Sequence, residues 1–159
     1  MSGEPAEVIT CSTRAAGGVY PDRSGPIIVD TLRAWGFEVG DAVVVADGPD
    51  VDAALRAAIS SHAALVVTTG GTGLTPTDGT PEATQQVVDR LVPGIAEAIR
   101  MAGLQAGVSS AILSRGICGL AGRTLIVNMP GSMGGVSSGL EVLEHVIAHA
   151  LGQIQGGDH

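Results

Sequence analysis

A glycine- and threonine-rich stretch at residues 68–82 contains the residue types that could most directly do chemistry, and it carries one aspartate, Asp78. Its central residues, 70–73, read Gly-Gly-Thr-Gly, and Thr69 precedes them. Glycines allow a backbone to approach a ligand closely and to turn its N–H groups toward an anion. The pattern therefore predicts a loop that binds a phosphate or a pterin, with an acid beside it.

The segments on either side predict how this loop is positioned. The apolar run at residues 63–67 is typical of a buried strand. Thr80, Pro81 and Glu82 are typical of a helix start, with an N-cap threonine, a proline at the first helical position and an acid in the first turn. The loop is therefore expected to leave a strand and lead into a helix.

Strands and helices are expected to alternate along the whole chain. We predict strands at residues 6–13, 37–46, 64–68 and 124–128, with a short one at 111–114. We predict helices at residues 24–36, 50–62, 80–91, 95–101 and 136–154, and a glycine turn at 115–122. This order predicts an α/β fold with right-handed crossovers and a mostly parallel sheet that is covered on both faces.

Ligands bind such sheets outside the carboxyl ends of the strands. Four loops are expected to meet at that edge, after residues 13, 46, 69 and 128. The candidate ligand-binding residues on and beside these loops are Ser12, Arg14, Asp47, Thr69, Gly70, Gly71, Thr72, Gly73, Asp78, Pro130, Gly131 and Ser132.

Asp47 and Asp78 each lie beyond a predicted strand, at this shared edge. Two carboxylates there suit Mg²⁺, which usually takes one or two protein carboxylates together with phosphate oxygens and water. The chain has no lysine and a net charge of −8, so a metal ion would neutralise phosphate charge that the protein otherwise repels. Each aspartate also precedes a glycine, and the alternative interpretation is that both are turn formers.

The polar residues of the other loops form less specific patterns. Arg14 and Arg23 could clamp a phosphate, whereas the alternative for Arg23 is a solvated surface position. Ser132 could bind an anion at a helix N-terminus or serve as an ordinary N-cap. Arg115 and Arg123 flank the glycine turn and are interpreted as surface charges.

The composition excludes several functions. An acidic chain without a basic patch is not expected to bind nucleic acid. With no secretory signal and no long apolar span, we expect one cytoplasmic domain over residues 1–159 that does not contact a membrane. Residues 1–5 and 155–159 are expected to be flexible.

The cysteines and histidines are not expected to do chemistry. Cys11 and Cys118 are interpreted as small buried hydrophobic residues in a reducing cytoplasm. His145 and His149 have the spacing of a metal pair on one helix, but no third ligand accompanies them.

Several motifs in a fixed order resemble the MoaB/Mog family, the molybdopterin-binding proteins of molybdenum cofactor biosynthesis. The signature is Thr-Thr-Gly-Gly-Thr-Gly at residues 68–73, then Asp78, then Thr-Pro-Glu-Ala-Thr at 80–84. Further blocks match at residues 22–26, 114–116 and 128–132. The resemblance extends from about residue 7 to residue 151.

The resemblance implies a three-layer α/β/α domain that assembles as a homotrimer, with a hexamer as the alternative. It implies adenylyl transfer, in which molybdopterin and ATP, with Mg²⁺, give adenylyl-molybdopterin and pyrophosphate, and a separate molybdate-insertion enzyme uses the product. Asp47 and Asp78 would be the catalytic and metal-holding residues. The glycine loop, residues 70–73, would hold the pterin and phosphate end. The same pocket would be lined by Ser12, Arg14 and Ser132.

Two alternatives to this enzyme stay open. A non-catalytic carrier or scaffold of the same pathway would bind molybdopterin without turning over ATP. A nucleotide-binding regulatory domain of another pathway would bind no pterin.

Overall fold

The aliphatic runs of the sequence form the strands of one sheet in the computed structural model, which describes residues 2–157. In chain order the strands are β1 (Pro5–Cys11), β2 (Glu38–Val39), β3 (Val43–Val45), β4 (Leu65–Thr69), β5 (Arg90–Leu91), β6 (Cys118–Ala121) and β7 (Thr124–Met129). The helices are α1 (Thr13–Ala16), α2 (Ser24–Ala34), α3 (Pro49–Ser60), α4 (Thr80–Val87), α5 (Pro93–Gln105) and α6 (Met133–Ile154). A 3₁₀ helix spans Ser109–Leu113.

The centre of the sheet is parallel. Strand β1 pairs in parallel with β4, and β4 with β7, so that Thr69 lies opposite Thr10 on one side and Met129 on the other. Both β2 and β3 add in parallel to the outer edge of β1. On the far side β6 is antiparallel to β7, and β5 is antiparallel to β6. The predicted α/β class with a mostly parallel sheet is confirmed.

Helices cover both faces of this sheet. In β4, Leu65 and Val67 pack into one apolar cluster with α2, α5 and α6, while Val66 packs into a second cluster with α3. All three side chains are fully buried. Successive residues of a strand point to opposite faces, so an uninterrupted aliphatic run needs cover on both sides. The domain therefore has the three layers that the resemblance implied.

Two predicted elements are divided in the structure. The single strand predicted at 37–46 is wrong, because residues 40–42 separate β2 from β3 and the two short strands pair with opposite ends of β1. The helix predicted at 80–91 ends at Val87, and the chain becomes extended at Val88, where ψ is 143°. The adjacent β-branched valines disfavour a longer helix, and residues 90–91 form β5 instead.

The segment before β7 also differs from the prediction. The short strand predicted at 111–114 is wrong, because these residues belong to the end of the 3₁₀ helix and the turn after it. The turn predicted at 115–122 is wrong in its second half, where β6 pairs on both edges. Glycine is required within β6, since a β-carbon on Gly119 would stand 2.7 Å from the carbonyl oxygen of Arg90.

Several helix and strand ends shift because of local backbone chemistry. β1 ends at Cys11, since Ser12 already caps α1. α3 begins at Pro49, after Gly48 with its φ of 105°. α5 begins at Pro93, a favourable first helical position, and is longer than predicted.

The described ends of the chain have defined structure. Pro5 begins β1, and Gln155 follows α6 with its amide bonded to the carbonyl of Leu151 at 3.0 Å. The expectation of flexible ends also concerned Met1, Asp158 and His159, which lie outside the described residues. No helix within residues 2–157 is long and apolar enough to cross a membrane.

Candidate functional site

Four loops meet at the carboxyl edge of the parallel strands, as predicted. Cys11 pairs with Val45 at the ends of β1 and β3, and Thr69 pairs with Met129 at the ends of β4 and β7. The chain continues from these ends into Ser12, Gly70 and Pro130, and through Ala46 into Asp47. The candidate residues from distant parts of the sequence therefore lie around one edge, and their roles stay predictions.

The first half of the glycine loop is held by Thr80, the first residue of α4. Gly70 and Gly71 have φ values of 89° and 65°, a region that glycine enters without strain. The Thr80 hydroxyl donates to the Gly70 carbonyl at 3.0 Å, and the Thr80 amide donates to the Gly71 carbonyl at 3.1 Å. The loop thus turns its first two carbonyls toward the body of the protein.

The second half of the glycine loop is held by Arg115. The Arg115 amide donates to the Thr72 carbonyl at 2.8 Å, and its side-chain Nε donates to the Gly73 carbonyl at 2.9 Å. All four carbonyls of residues 70–73 are therefore occupied by protein donors. Within the described part of the chain the amides of Gly71, Thr72 and Gly73 donate no hydrogen bond, which leaves a row of N–H groups for an anion.

Asp47 is oriented by the loop after β1. Its Oδ2 accepts hydrogen bonds from the Thr13 hydroxyl at 2.9 Å and from the Thr13 amide at 3.2 Å. Its Oδ1 is buried and has no hydrogen-bond partner within residues 2–157. A buried carboxylate oxygen without a partner is unfavourable, so this position suits a cation or a donor that the protein does not itself supply.

Asp78 is held against the second half of the glycine loop. Its Oδ2 accepts a hydrogen bond from the Thr75 amide at 3.1 Å, and its backbone carbonyl accepts one from Arg115 Nη2 at 3.0 Å. A β-carbon on Gly73 would stand 2.8 Å from that Oδ2, so the loop packs closely against the carboxylate. No hydrogen bond reaches Asp78 Oδ1 from the described residues, and this oxygen can serve a ligand.

Two cavities border the glycine loop. The smaller, of about 580 Å³, is lined on one side by residues 70–75 and on the other by apolar side chains from the 3₁₀-helix region, Val108, Ala111 and Leu113. The larger, of about 970 Å³, has a polar lining that includes Ser12, Arg14, Tyr20, Asp22, Arg23 and Asp47. Asp78 lines both cavities, as do Gly70, Gly71 and Gly131. The arrangement could therefore hold the two halves of a ligand that reaches across the loop.

The two predicted serine residues of the site each make hydrogen bonds within the protein. Ser12 caps α1 by accepting from the Ala15 amide at 3.2 Å, and its hydroxyl lies 3.1 Å from that of Tyr20. Ser132 caps α6 by accepting from the Gly135 amide at 3.1 Å. Each hydroxyl therefore already fixes a helix start, which is the alternative interpretation that the pattern of Ser132 left open.

Thr69 and Pro130 join the two central loops to each other. The Thr69 hydroxyl donates to the Pro130 carbonyl at 2.8 Å, and the Thr69 side chain is fully buried. Gly131 lies directly against Gly70, since a β-carbon on Gly131 would stand 3.2 Å from the Gly70 α-carbon. These contacts fix the spacing of the two loops. The side chain of Arg14 is exposed at the rim of the larger cavity.

The sequence pattern did not assign a role in the site to Arg115 or Thr80. The interpretation of Arg115 as a surface charge is wrong, because its side chain bonds to the carbonyls of Gly73 and Asp78 and pairs with Glu82. The Ser-Arg-Gly block at residues 114–116 was the available signal. Asp22 likewise accepts from the Gly25 amide at 3.1 Å and from the Thr10 hydroxyl at 2.8 Å, and so anchors the start of α2.

The thiols and histidines contribute nothing to a metal centre. Burial raises the pKa of Cys11 to about 11 and that of Cys118 to about 12, and both are free, buried cysteines. Within residues 2–157 no group of three or more histidine, cysteine, aspartate or glutamate residues is placed to hold a metal ion. A cation between Asp47 and Asp78 would therefore need further oxygens from a phosphate or water, as Mg²⁺ ordinarily does.

Comparison with known proteins places the fold and motifs in one family. Residues 7–149 match the family described as "probable molybdopterin binding domain". The chain is 41% identical over 160 residues to the molybdenum cofactor biosynthesis bifunctional protein of Synechococcus elongatus, covering 100% of this chain but 50% of that protein. It is 35% identical over 153 residues to the molybdopterin adenylyltransferase of Helicobacter pylori, covering 94% of this chain and 86% of the relative.

A solved structure agrees closely with the fold. The Mog protein from Mycobacterium ulcerans superposes with a TM-score of 0.91 at 53% sequence identity, over 96% of this chain and 99% of that one. The matched residues include all four loops at the carboxyl edge of the sheet. On this evidence of sequence and structure together, the chain belongs to the family of molybdopterin-binding domains.

Proposed function

We propose that this protein is a molybdopterin adenylyltransferase of molybdenum cofactor biosynthesis. In this reaction a terminal phosphate oxygen of molybdopterin attacks the α-phosphorus of ATP. The bond between the α-phosphorus and the bridging oxygen breaks, and pyrophosphate leaves with the electron pair. Curated relatives that cover most of this chain are named for this activity, including those of Helicobacter pylori and Pyrococcus furiosus.

The main structural support for this proposal is the hydrogen bonding of the glycine loop. Its four carbonyls are bonded to Thr80 and Arg115, and three successive amides, of residues 71–73, have no acceptor among residues 2–157. Preorganised N–H groups stabilise the negative charge of a phosphoryl group, and they need no reorganisation during the reaction. In a chain without lysine, such a loop is one means of holding a phosphate, beside the arginines and a metal ion.

Asp47 and Asp78 are the residues that would hold Mg²⁺. The partnerless Oδ1 of Asp47 and the unbonded Oδ1 of Asp78 fit a hard cation that takes its remaining ligands from phosphate and water. When bound, the ion would neutralise charge on the phosphates and on the leaving pyrophosphate. Neither aspartate is needed as a general base, because the attacking phosphate is already ionised. Their role would be to position the positive charge of the ion. Transfer to phosphorus depends chiefly on positioning and on the stabilisation of charge.

The proposal also includes the compartment of the protein, its partner enzyme and its oligomeric state. We place it in the cytoplasm, where the two free, buried cysteines suit a reducing environment. The product would pass to a separate molybdate-insertion enzyme, and the protein would act as a homotrimer, with a hexamer as the alternative. Size measurement by light scattering tests this assembly, and a monomer would contradict it.

Mass spectrometry tests the activity itself. Purified protein with molybdopterin and Mg²⁺-ATP should form a pterin whose mass has increased by one AMP, together with pyrophosphate. Protein that binds molybdopterin but makes no such product would exclude the enzyme. Calorimetry then separates the alternatives, since a carrier would bind molybdopterin without ATP, and a regulatory nucleotide-binding domain would bind ATP without pterin.

The variant Asp78→Asn tests the assigned role of this carboxylate. Turnover should fall about 10²-fold or more, comparable to the loss of one preorganised electrostatic contact. Asp41→Asn is the matched control, because its side chain is fully exposed on the loop between β2 and β3. Equal turnover of the two variants would remove Asp78 from the metal site.

A further inference from the structure

Arg115 makes more contacts with the glycine loop than any surface charge requires. Its amide bonds to Thr72, its Nε to the Gly73 carbonyl, and its Nη2 to the Asp78 carbonyl. Its Nη1 pairs with Glu82, in the first turn of α4. One residue thus spans the loop from its centre to the helix that follows it.

The backbone on either side of Arg115 is itself held by hydrogen bonds. Arg100, on α5, donates from Nη1 to the Gly116 carbonyl at 2.7 Å and to the Ser114 carbonyl at 3.4 Å. The Ser114 hydroxyl donates to the Thr72 hydroxyl at 3.2 Å. The segment that carries Arg115 is therefore fixed on both sides. With its backbone held, the guanidinium can in turn fix the loop residues to which it is bonded.

We propose that Arg115 is a positioning residue, which holds the Gly73 and Asp78 carbonyls away from the ligand and thereby aims the loop amides and the Asp78 carboxylate at the reacting phosphates. This inference rests on the proposed adenylyl transfer. Arg115 itself does not touch the reacting atoms. It fixes the backbone on both sides of the carboxylate, and a small displacement there separates the amides of residues 71–73 from Asp78.

Arginine is required at this position because of its geometry. The Gly73 carbonyl, the Asp78 carbonyl and the Glu82 carboxylate each accept from a different nitrogen of one planar group. Lysine has a single ammonium on a flexible stem and cannot fill these three positions at once. Since Glu82 is exposed, its ion pair alone adds little stability. The hydrogen bonds to the Gly73 and Asp78 carbonyls are therefore the contacts by which Arg115 positions the loop.

The test compares Arg115→Lys with Arg123→Lys. Arg123 is exposed on the turn between β6 and β7, where its Nη2 lies 3.5 Å from the Gln155 carbonyl, away from the loop. We expect Arg115→Lys to lower kcat about 10²-fold with little change in KM for ATP. Misplaced groups reduce the stabilisation of the transition state more than they reduce the binding of the substrate. Arg123→Lys should retain wild-type kcat.

Chemical rescue separates positioning from a loss of folded protein. In Arg115→Ala, added guanidinium ion should recover part of kcat by entering the vacated position. Guanidinium destabilises folded proteins, so this recovery cannot come from refolding. Absence of any recovery in a variant whose circular dichroism matches the wild type would overturn the proposal.

Hydrogen exchange provides a measurement that does not depend on turnover. In Arg115→Lys the amides of Asp78 and Thr80, which are bonded to Thr75 and Gly71 in the wild type, should exchange faster. Unchanged exchange there would overturn the proposed role. A wild-type protein that makes no adenylylated product would refute the enzyme instead, and the exchange result would still decide whether Arg115 orders the loop.

Discussion

The partnerless carboxylate oxygen of Asp47 lies directly against the backbone of Gly71. A β-carbon built on Gly71 would stand 3.0 Å from Asp47 Oδ1 and would overlap the Thr80 hydroxyl. The candidate anion-binding loop and the candidate metal-holding acid are therefore in contact, although 24 positions separate 47 from 71 in the sequence. Any side chain on Gly71 would push these two parts of the site apart.

Gly71→Ala should therefore abolish most turnover. The substitution combines a left-handed backbone conformation, which costs about 1–2 kcal/mol for alanine, with displacement of Thr80 and Asp47. Gly122→Ala is the control, since Gly122 also has a positive φ, of 59°, but within the described residues no atom beyond its chain neighbours lies within 4 Å of its β-carbon position. Denaturant unfolding and kcat measure both effects. Equal kcat for the two variants would contradict the close-contact argument.

Asp47→Asn should abolish the response to Mg²⁺-ATP while leaving the stability of the ligand-free protein nearly unchanged. We expect the free energy of unfolding without ligand to stay within about 1 kcal/mol of wild type, because the substitution removes the charge of a half-buried carboxylate whose Oδ1 has no partner within residues 2–157. The rise in Tm on adding Mg²⁺-ATP should be lost. Asp50→Asn, at an exposed acid in the first turn of α3, should retain that rise. A full Mg²⁺-ATP shift in Asp47→Asn would remove Asp47 from the cation site.

The Arg115–Glu82 pair should make stability depend on pH. The hydrogen bond from Arg115 holds the pKa of Glu82 below its ordinary value of 4.5. Because the folded-state pKa is the lower one, ionised Glu82 stabilises the fold above about 4.5, and this contribution is lost as the pH falls through the lowered value. The free energies of unfolding of wild type and Glu82→Gln should therefore differ by a small amount at neutral pH, since the pair is exposed, and converge in acid. A difference that grows in acid would contradict the assigned sign.

Both thiols should be unreactive in the folded protein. Burial is the first cause of the raised pKa values, about 11 for Cys11 and about 12 for Cys118, and the charge of Asp47 adds to the effect at Cys11. Since the thiolate is the reactive form, iodoacetamide at about pH 8 should modify neither cysteine. Both should be modified after unfolding in denaturant, as mass spectrometry can measure. Rapid modification of native Cys11 would show that the edge of β1 opens.

The local patterns of the sequence predicted the centre of the fold well. The aliphatic run before Thr69, the helix start at Thr80 and the loop between them are all present, because burial of a strand and a proline in the first helical turn act through neighbouring residues. The predicted N-cap is wrong, because Thr80 is the first residue of α4 and the N-cap is Gly79, which makes no side-chain hydrogen bond. Parallel pairing then explains why the acid after β3 meets this loop. For Asp47 and Asp78, the sequence alone justified a common edge.

Pairing between distant segments decided what local patterns could not. Residues 118–121 contain a glycine and were predicted as part of a turn, yet they form a buried strand because β7 and β5 supply its hydrogen-bond partners. Residues 43–45 are separated from 38–39 because each short strand follows a different part of β1. A strand's partner is a property of the folded chain, so its own composition need not reveal it.

The sequence by itself determined the types and order of the groups in this site: a glycine loop, two acids that follow strands, arginine in place of lysine, and the motifs of a molybdopterin-binding domain. Only the tertiary structure decided which of their atoms are free. Thr80 and Arg115 come from other segments to occupy the loop carbonyls, and Thr13 occupies one oxygen of Asp47. Hydrogen bonds between residues far apart in the chain form only when the sheet brings their backbones together, and within residues 2–157 those bonds leave the amides of residues 71–73 and one oxygen of each aspartate without a protein partner.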